Sequence, residues 1–153
     1  MLYFAYGSNM DESAMQARCP MARAVGPARL DGYRFFIGVD GWGSVRPSPG
    51  GVVHGVLWHV TPRDLAALHA YEWLDQGLYD VRRLPVRTGS RTALATIYLL
   101  RRRQTGRPKP GYAELCAAAA RQWNLPERYV RSIERWSVSR WTGARAVDAG
   151  AGG

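Results

Sequence analysis

The chain opens with an apolar, aromatic run that breaks abruptly into a small polar turn, and this junction constrains the fold more than any other stretch. Residues 2–6 read Leu-Tyr-Phe-Ala-Tyr, a composition that suits a buried strand. Gly7 then permits close backbone approaches that a Cβ would forbid, and a helix is predicted over residues 11–18. A strand, a glycine turn and a helix start leave N–H groups that can bind an anion; the alternative is a purely steric glycine. The candidate helix caps are Ser8, Asn9 and Asp11.

Several later segments have the apolar or β-branched composition of strands. The predicted strands are residues 29–38, 52–60, 78–87 and 92–100. Residues 40–44 and 47–51 are rich in glycine, proline and serine, so they are predicted as turns with a short strand at 44–46. Gly55 indicates a bulge or a close backbone approach, and Pro85 assigns its segment to an edge or a bulge. Strands that are apolar on both faces favour a sheet curled on itself.

A helix with clear start signals is predicted between the second and third of these strands. Thr61 is its N-cap and Pro62 occupies its first position, and the helix should run to about Glu72. Leu65, Leu68 and Glu72 are spaced i, i+3 and i+7, so all three share one face. The leucines of that face should pack into the core and carry the carboxylate with them.

The environment of Glu72 decides whether it can act chemically. At the end of an apolar stripe it would lose hydration near the negative end of the helix dipole, and both effects would raise its pKa. Such a carboxylate is a better proton acceptor near neutral pH. The alternative is a frayed last turn with Glu72 in water, paired with Arg82 or Arg83. The sequence leaves both alternatives open.

The C-terminal third is predicted to be helical after a surface loop. Residues 101–110 are basic and contain proline, and amphipathic helices follow at about 112–123 and 126–136. The end of the chain is dominated by glycine and alanine and should fray. We therefore expect one domain over residues 1–142 and a flexible tail over residues 143–153.

Charge and hydropathy restrict the class of protein. The formal net charge is +9, which suits an anionic partner such as nucleic acid, a lipid head group or a small acidic substrate. The arginines are dispersed and form no recognition motif, so we do not expect nucleic-acid binding. No apolar run approaches the roughly 20 residues that span a bilayer, and the N-terminus has no signal-peptide pattern. A cytoplasmic protein without membrane contact is expected.

The cysteines and histidines give no pattern typical of a metal or redox site. Cys19 and Cys116 are not in CxxC spacing and are expected to be reduced and structural. His54, His59 and His69 form neither HxH nor HExxH, so core or surface roles are expected.

Four motifs, in the same order along the chain, resemble the gamma-glutamylcyclotransferase-like family. They are residues 3–9 (its signature turn), 28–33 (its second strand), 49–58 (the strand before its catalytic helix) and 68–72 with 77–79 (the segment of its catalytic glutamate). The resemblance spans roughly residues 2–143. The chain departs from the family at Trp73, because glycine commonly follows the glutamate there.

The resemblance implies an α+β fold, a small mixed β-barrel, closed or nearly closed, with flanking α-helices. It also implies cyclisation of a γ-glutamyl group to 5-oxoproline with release of the attached amine or amino acid. Glu72 would be the general acid/base, and no metal or organic cofactor is implied. The residues expected to bind the substrate are Tyr3, Phe4, Ala5, Tyr6, Gly7, Ser8 and Asn9, together with Tyr79 and Tyr112.

The residues are consistent with this chemistry because the substrate's own α-amine is the nucleophile. No protein nucleophile is then needed, and the chain contains no convincing Ser/His/Asp or Cys/His set. Two alternatives remain open: a protein of the same fold that binds a γ-glutamyl ligand without chemistry, and a basic nucleic-acid binder.

Overall fold

Five strands close into a mixed β-barrel in the computed structural model, which describes residues 1–72 and 76–137. The strand order is β1-β3-β2-β4-β5. Neighbouring strands are antiparallel, except that β1 and β5 close the barrel in parallel, with Tyr3 opposite Thr96. This architecture confirms the predicted fold class. The strands are β1 (Leu2–Ala5), β2 (Arg23–Ile37), β3 (Gly43–His59), β4 (Tyr79–Thr88) and β5 (Arg91–Leu100).

Helices flank the barrel where the sequence predicted them. They are α1 (Glu12–Arg18), α2 (Pro62–Tyr71), α3 (Tyr112–Gln122) and α4 (Glu127–Glu134), and a 3-10 turn at Ser8–Met10 precedes α1. Asp11 is the N-cap of α1, since its carboxylate accepts from the Ala14 N–H at 2.8 Å. Thr61 caps α2, and Pro62 is its first residue. Side-chain caps therefore fix the N-termini of both α1 and α2.

The prediction for the start of β2 was wrong by several residues. The strand begins at Arg23 rather than at residue 29 and pairs with β3 from Arg23 opposite His59. A register shift between Ala24 and Gly26 accommodates the glycine, which has a φ of 134°. Gly26 therefore forms a bulge within the long hairpin of β2 and β3. It does not end the strand, because pairing with β3 outweighs the preference of glycine for turns.

The turn predicted at residues 47–51 was also wrong, because β3 continues through it. Pairing passes from Tyr33–Pro47 directly to Asp31–Val52, so four residues of β3 lie opposite Gly32 alone. Gly50 has a φ of 76°, in the left-handed region that glycine tolerates. The proline and glycine residues thus make an irregular step in the ladder and do not end the strand.

Two apolar clusters hold the fold together, and β1 contributes alternate residues to both. One cluster fills the interior of the barrel, where Phe4 packs among strand residues such as Leu30, Val53 and Ile97. The other cluster joins the outer face of the strands to the helices, and Tyr3 and Ala5 belong to it with Met15, Leu68, Cys116 and Ile133. Because both faces of β1 are packed, the turn after it has a fixed position.

The basic loop predicted at residues 101–110 is exposed along most of its length. The predicted tail at 143–153, the end of the predicted domain at 138–142, and Trp73 lie outside the described residues. Within the described part of the chain, no helix is both long and apolar enough to cross a membrane.

Candidate active site

A cavity of about 250 Å³ lies at the end of β1, between the glycine turn, the C-terminus of α2 and the start of α3. All residues predicted for the site line it except Ala5. Ala5 is 1% exposed in the core, and its carbonyl lies against Gly55 of β3. The lining residues are Tyr3, Phe4, Tyr6, Gly7, Ser8, Asn9, Trp42, Gly43, Tyr71, Glu72, Leu78, Tyr79, Tyr98 and Tyr112.

The glycine of the turn has a steric role at this cavity. A Cβ on Gly7 would lie 2.8 Å from the hydroxyl oxygen of Tyr112, so glycine leaves room for this hydroxyl against the turn. The Met10 N–H donates to the Gly7 carbonyl at 3.1 Å, and the Asp11 N–H donates to the Ser8 carbonyl at 3.1 Å. These bonds tighten the turn and hold it at the cavity wall.

Asn9 and Arg18 form a polar network behind the turn. Asn9 is 3% exposed, and its Nδ2 donates to the Tyr3 hydroxyl at 3.0 Å. Its Oδ1 accepts from Nη1 of Arg18, and the Arg18 guanidinium lies over the Tyr71 ring with 3.8 Å between Cζ and the ring centroid. Arg18 thereby connects α1, the turn and the end of α2. This residue was not predicted for the site, because in the sequence it reads only as a basic side chain in the last turn of a helix.

Glu72 caps the C-terminus of α2 and is partly buried. Its N–H donates to the carbonyl of Leu68 at 2.8 Å. Leu68 is 0% exposed, as the i, i+3 and i+7 spacing predicted, whereas Leu65 is only partly buried. Burial raises the pKa of Glu72 to about 7, and the positive charge of Arg18 opposes this rise. Arg82 and Arg83, its alternative partners, are exposed on β4. The geometry thus corresponds to the desolvated alternative.

Two of the cavity tyrosines form hydrogen bonds with the backbone of Gly43. The Tyr79 hydroxyl donates to the Gly43 carbonyl at 3.0 Å. The Gly43 N–H donates to the Tyr112 hydroxyl at 3.1 Å. A Cβ on Gly43 would meet the Phe35 ring at 2.7 Å, so this position also requires glycine. Tyr79 and Tyr112 therefore build the wall of the cavity with groups that already have partners.

Further tyrosines connect the cavity to its surroundings. The Tyr98 hydroxyl lies 2.7 Å from Nδ1 of His69 on α2, and the Tyr6 hydroxyl donates to the Tyr98 carbonyl. Burial, and then the negative charge of Glu72, raise the pKa values of Tyr3, Tyr6 and Tyr98. These hydroxyls stay protonated in the pH range in which Glu72 changes its protonation state, so they can donate hydrogen bonds there.

The remaining lining residues that were not predicted come from two kinds of position. Tyr71 and Leu78 are immediate neighbours of the predicted Glu72 and Tyr79, so their adjacency was an available signal. Trp42, Gly43 and Tyr98 reach the cavity only through strand pairing and barrel closure, for which a single segment gives no signal.

The cysteines and histidines lie outside any recognisable metal centre. Among the described residues, no three His, Cys, Asp or Glu side chains come together as a metal site would require. Cys19 and Cys116 are free and buried, as expected, and burial raises their pKa values to about 11 and about 12. His54 packs its ring against Tyr129 with 4.9 Å between centroids, and this contact is structural.

Comparison with known proteins gives consistent results. The family model described as "Gamma-glutamyl cyclotransferase, AIG2-like" matches residues 3–124. The chain is 28% identical to the gamma-glutamylcyclotransferase of Homo sapiens, covering 93% of this chain and 81% of the relative. The Mus musculus protein of the same name is 26% identical with the same coverage. A solved structure named gamma-glutamyl cyclotransferase superposes with a TM-score of 0.82 at 27% identity, covering 88% of this chain and 86% of the other.

Proposed function

The chain belongs to the gamma-glutamyl cyclotransferase, AIG2-like family, and we propose that it is an enzyme that cyclises a γ-glutamyl group to 5-oxoproline with Glu72 as general acid/base. One observation carries the role of this residue. A carboxylate whose pKa burial raises to about 7 lies in the same cavity as the glycine turn. Such a group changes protonation state at neutral pH, as a shuttle of protons must.

One proton carrier is enough for the reaction, because the attacking nitrogen loses as many protons as the leaving nitrogen gains. The α-nitrogen bonds to the γ-carbonyl carbon, and the bond from that carbon to the leaving nitrogen breaks. The α-ammonium gives up two protons to become the ring N–H, and the leaving nitrogen gains two to depart as an ammonium ion. Glu72 accepts each proton from the attacking nitrogen and returns it to the leaving nitrogen.

The turn of Gly7, Ser8 and Asn9 supports this chemistry from another side of the cavity. The tetrahedral intermediate carries an oxyanion, and fixed N–H donors of such a turn contribute about 3 kcal/mol each in comparable sites. The same N–H groups would alternatively hold the substrate's α-carboxylate. Tyr79 and Tyr112 would contact the γ-glutamyl group from the wall that they form with Gly43.

The test is release of 5-oxoproline from a panel of γ-glutamyl amino acids and γ-glutamyl amines. We expect turnover with wild-type protein and a loss of at least about 100-fold in kcat for Glu72→Gln, because the amide cannot carry a proton. Glu114→Gln is the matched control, since Glu114 is an exposed glutamate on α3. Undiminished turnover in Glu72→Gln would contradict the assigned role.

The pH dependence gives a second measurement on the same protein. Glu72 must be ionised to accept the first proton, so kcat/KM should fall as pH drops below about 7, the pKa to which burial raises this carboxyl. The alternative function is binding of a γ-glutamyl ligand without catalysis. In that case calorimetry would detect binding of the ligand, and no 5-oxoproline would be released.

A further inference from the structure

Tyr98 of β5 is held in place at the cavity between β1 and α2. Its ring meets the rings of Tyr3 and His69 edge to face, with 5.8 Å and 5.6 Å between centroids, and the residue is 2% exposed. Its hydroxyl oxygen lies 2.7 Å from Nδ1 of His69. Because rings pack against Tyr98 on two sides, the freedom that remains to it is the direction of its hydroxyl hydrogen.

His69 lies on the helix that delivers the carboxylate. It precedes Glu72 by three residues, so the two side chains are neighbours on the surface of α2. Glu72 and Tyr98 both line the cavity, and the negative charge of Glu72, after burial, raises the pKa of Tyr98. The Tyr98 hydroxyl is therefore close enough to the carboxylate to respond to its charge, while His69 contacts the same hydroxyl from the helix.

The bond with His69 decides which way the Tyr98 hydroxyl points. Tyr6 and Tyr79 donate to the backbone carbonyls of Tyr98 and Gly43, which can only accept. A histidine nitrogen accepts or donates, depending on its tautomer and charge. In a pair with neutral imidazole, the phenolic O–H is the stronger donor and the unprotonated ring nitrogen is the stronger acceptor. Tyr98 therefore donates to Nδ1, and its oxygen keeps lone pairs for a donor in the cavity.

We propose that His69 is a positioning residue of the cyclotransferase, because it binds the hydroxyl hydrogen of Tyr98 and leaves the Tyr98 oxygen to accept from the substrate's α-nitrogen. The inference rests on the proposed function and adds two residues to that same site. An α-nitrogen that has given one proton to Glu72 keeps two N–H groups and one lone pair. An N–H bond to Tyr98 orients this nitrogen so that its lone pair faces the γ-carbonyl carbon. A hydroxyl hydrogen turned into the cavity would instead repel the ammonium group.

The test uses two substitutions that remove the same ring. His69→Asn places an amide oxygen at about the position of Nδ1, whereas His69→Leu has a similar shape without an acceptor. We expect kcat/KM for 5-oxoproline release to fall roughly tenfold or more in His69→Leu and to stay within about threefold of wild type in His69→Asn. Leucine has the higher helix propensity, so a purely structural role predicts the opposite order. His59→Leu and His59→Asn, at an exposed histidine of β3, are the controls and should keep the wild-type kcat/KM.

Two further measurements locate the effect. The first probe is the glutaric acid amide that matches a turned-over γ-glutamyl amide, because it lacks only the α-amine and cannot cyclise. Its inhibition constant should agree to within about twofold between wild type and both His69 variants. The second measurement repeats both substitutions in a Tyr98→Phe background. There His69→Leu and His69→Asn should have equal kcat/KM, because the hydroxyl that the imidazole orients is absent.

The outcomes separate this inference from the proposed function. Equal kcat/KM in His69→Leu and His69→Asn, or weaker inhibition of His69→Leu by the glutaric acid amide, would overturn the inference and leave the proposed function intact. A wild-type protein that releases no 5-oxoproline from any member of the γ-glutamyl panel would overturn both.

Discussion

At the scale of single residues, Glu72 places activity and stability in opposition. Its pKa is about 7 in the folded protein against a reference value of 4.5, so the folded state binds the proton more tightly than the unfolded chain. This preference stabilises the fold at low pH, and the contribution is lost as pH rises through 7. The carboxylate is therefore charged, and unfavourable for folding, at the pH where it is needed for catalysis.

We predict that Glu72→Gln is more stable than wild type at pH 8, by on the order of 1–3 kcal/mol. The neutral amide avoids burying a charge, and this advantage should disappear near pH 4, where the glutamate is itself protonated. Urea unfolding of both proteins at the two pH values measures the difference. The Glu114→Gln control should give the same small effect at both pH values, and a pH-independent effect of Glu72→Gln would contradict the assigned burial.

Arg18 is the cation whose charge opposes the effect of burial on Glu72. Among the described residues, Glu72 also raises the pKa values of Tyr3 on β1, Tyr79 on β4 and Tyr98 on β5, and of Tyr6, which follows β1. These tyrosines are neutral. We predict that Arg18→Gln moves the acidic limb of the kcat/KM profile to higher pH, with a loss at pH 7 of up to about tenfold per unit of displacement. Arg18→Lys should restore much of the limb, because it keeps the charge. A lower melting temperature with an unmoved limb would identify a purely structural role.

At the scale of secondary structure, α2 delivers the carboxylate, and its N-terminus is fixed by reciprocal hydrogen bonds. The Thr61 hydroxyl oxygen accepts from the Asp64 N–H at 3.1 Å, and the Thr61 N–H donates to Asp64 Oδ2 at 3.0 Å. We predict that Thr61→Ala lowers the free energy of unfolding by about 1 kcal/mol, because the Asp64 N–H loses its acceptor. Thr61→Ser keeps the oxygen and should lose less than half of that. Urea titration distinguishes them, and equal losses would assign the effect to the missing methyl group.

Elements with local signals could be predicted from the sequence, and elements defined by pairing could not. The cap at Thr61 and the spacing of Leu68 and Glu72 lie within one helix, so the sequence alone is enough to place the carboxylate at the end of an apolar helix face. The length of β3 depends on its partner β2, because pairing with β2 on both sides of residues 48–51 continues the strand past their proline and glycine. Trp42 was missed for the same reason, because it reaches the cavity through the tertiary fold.

At the scale of the whole molecule, the cavity exists because the barrel closes. Its lining residues extend from Tyr3 to Tyr112, and the turn after β1 reaches α3 only when β1 is held between β3 and β5. β1 pairs with β3 from Leu2 opposite His59 to Ala5 opposite Val56. Gly55 lies at the end of this pairing, as the predicted close approach of its backbone requires.

We predict that Gly55→Ala disrupts both the barrel and the cavity. Its Cβ would lie 2.3 Å from the Ala5 carbonyl oxygen and 2.8 Å from the Phe4 ring, so backbone atoms of β1 must move. We expect a loss of roughly 3 kcal/mol in the free energy of unfolding. Because the displaced strand carries the glycine turn, kcat of the folded fraction should fall as well.

Gly89→Ala is the control for this substitution. Gly89 lies between β4 and β5 with a φ of 59°, and a Cβ there meets nothing within 4 Å. The variant should therefore lose only about 1 kcal/mol, the strain of a left-handed alanine, and keep its kcat. Urea unfolding and 5-oxoproline release, measured on both variants, separate crowding from strain. If Gly55→Ala proved no less stable than Gly89→Ala, the close approach of β1 and β3 would not be what holds the turn at the cavity.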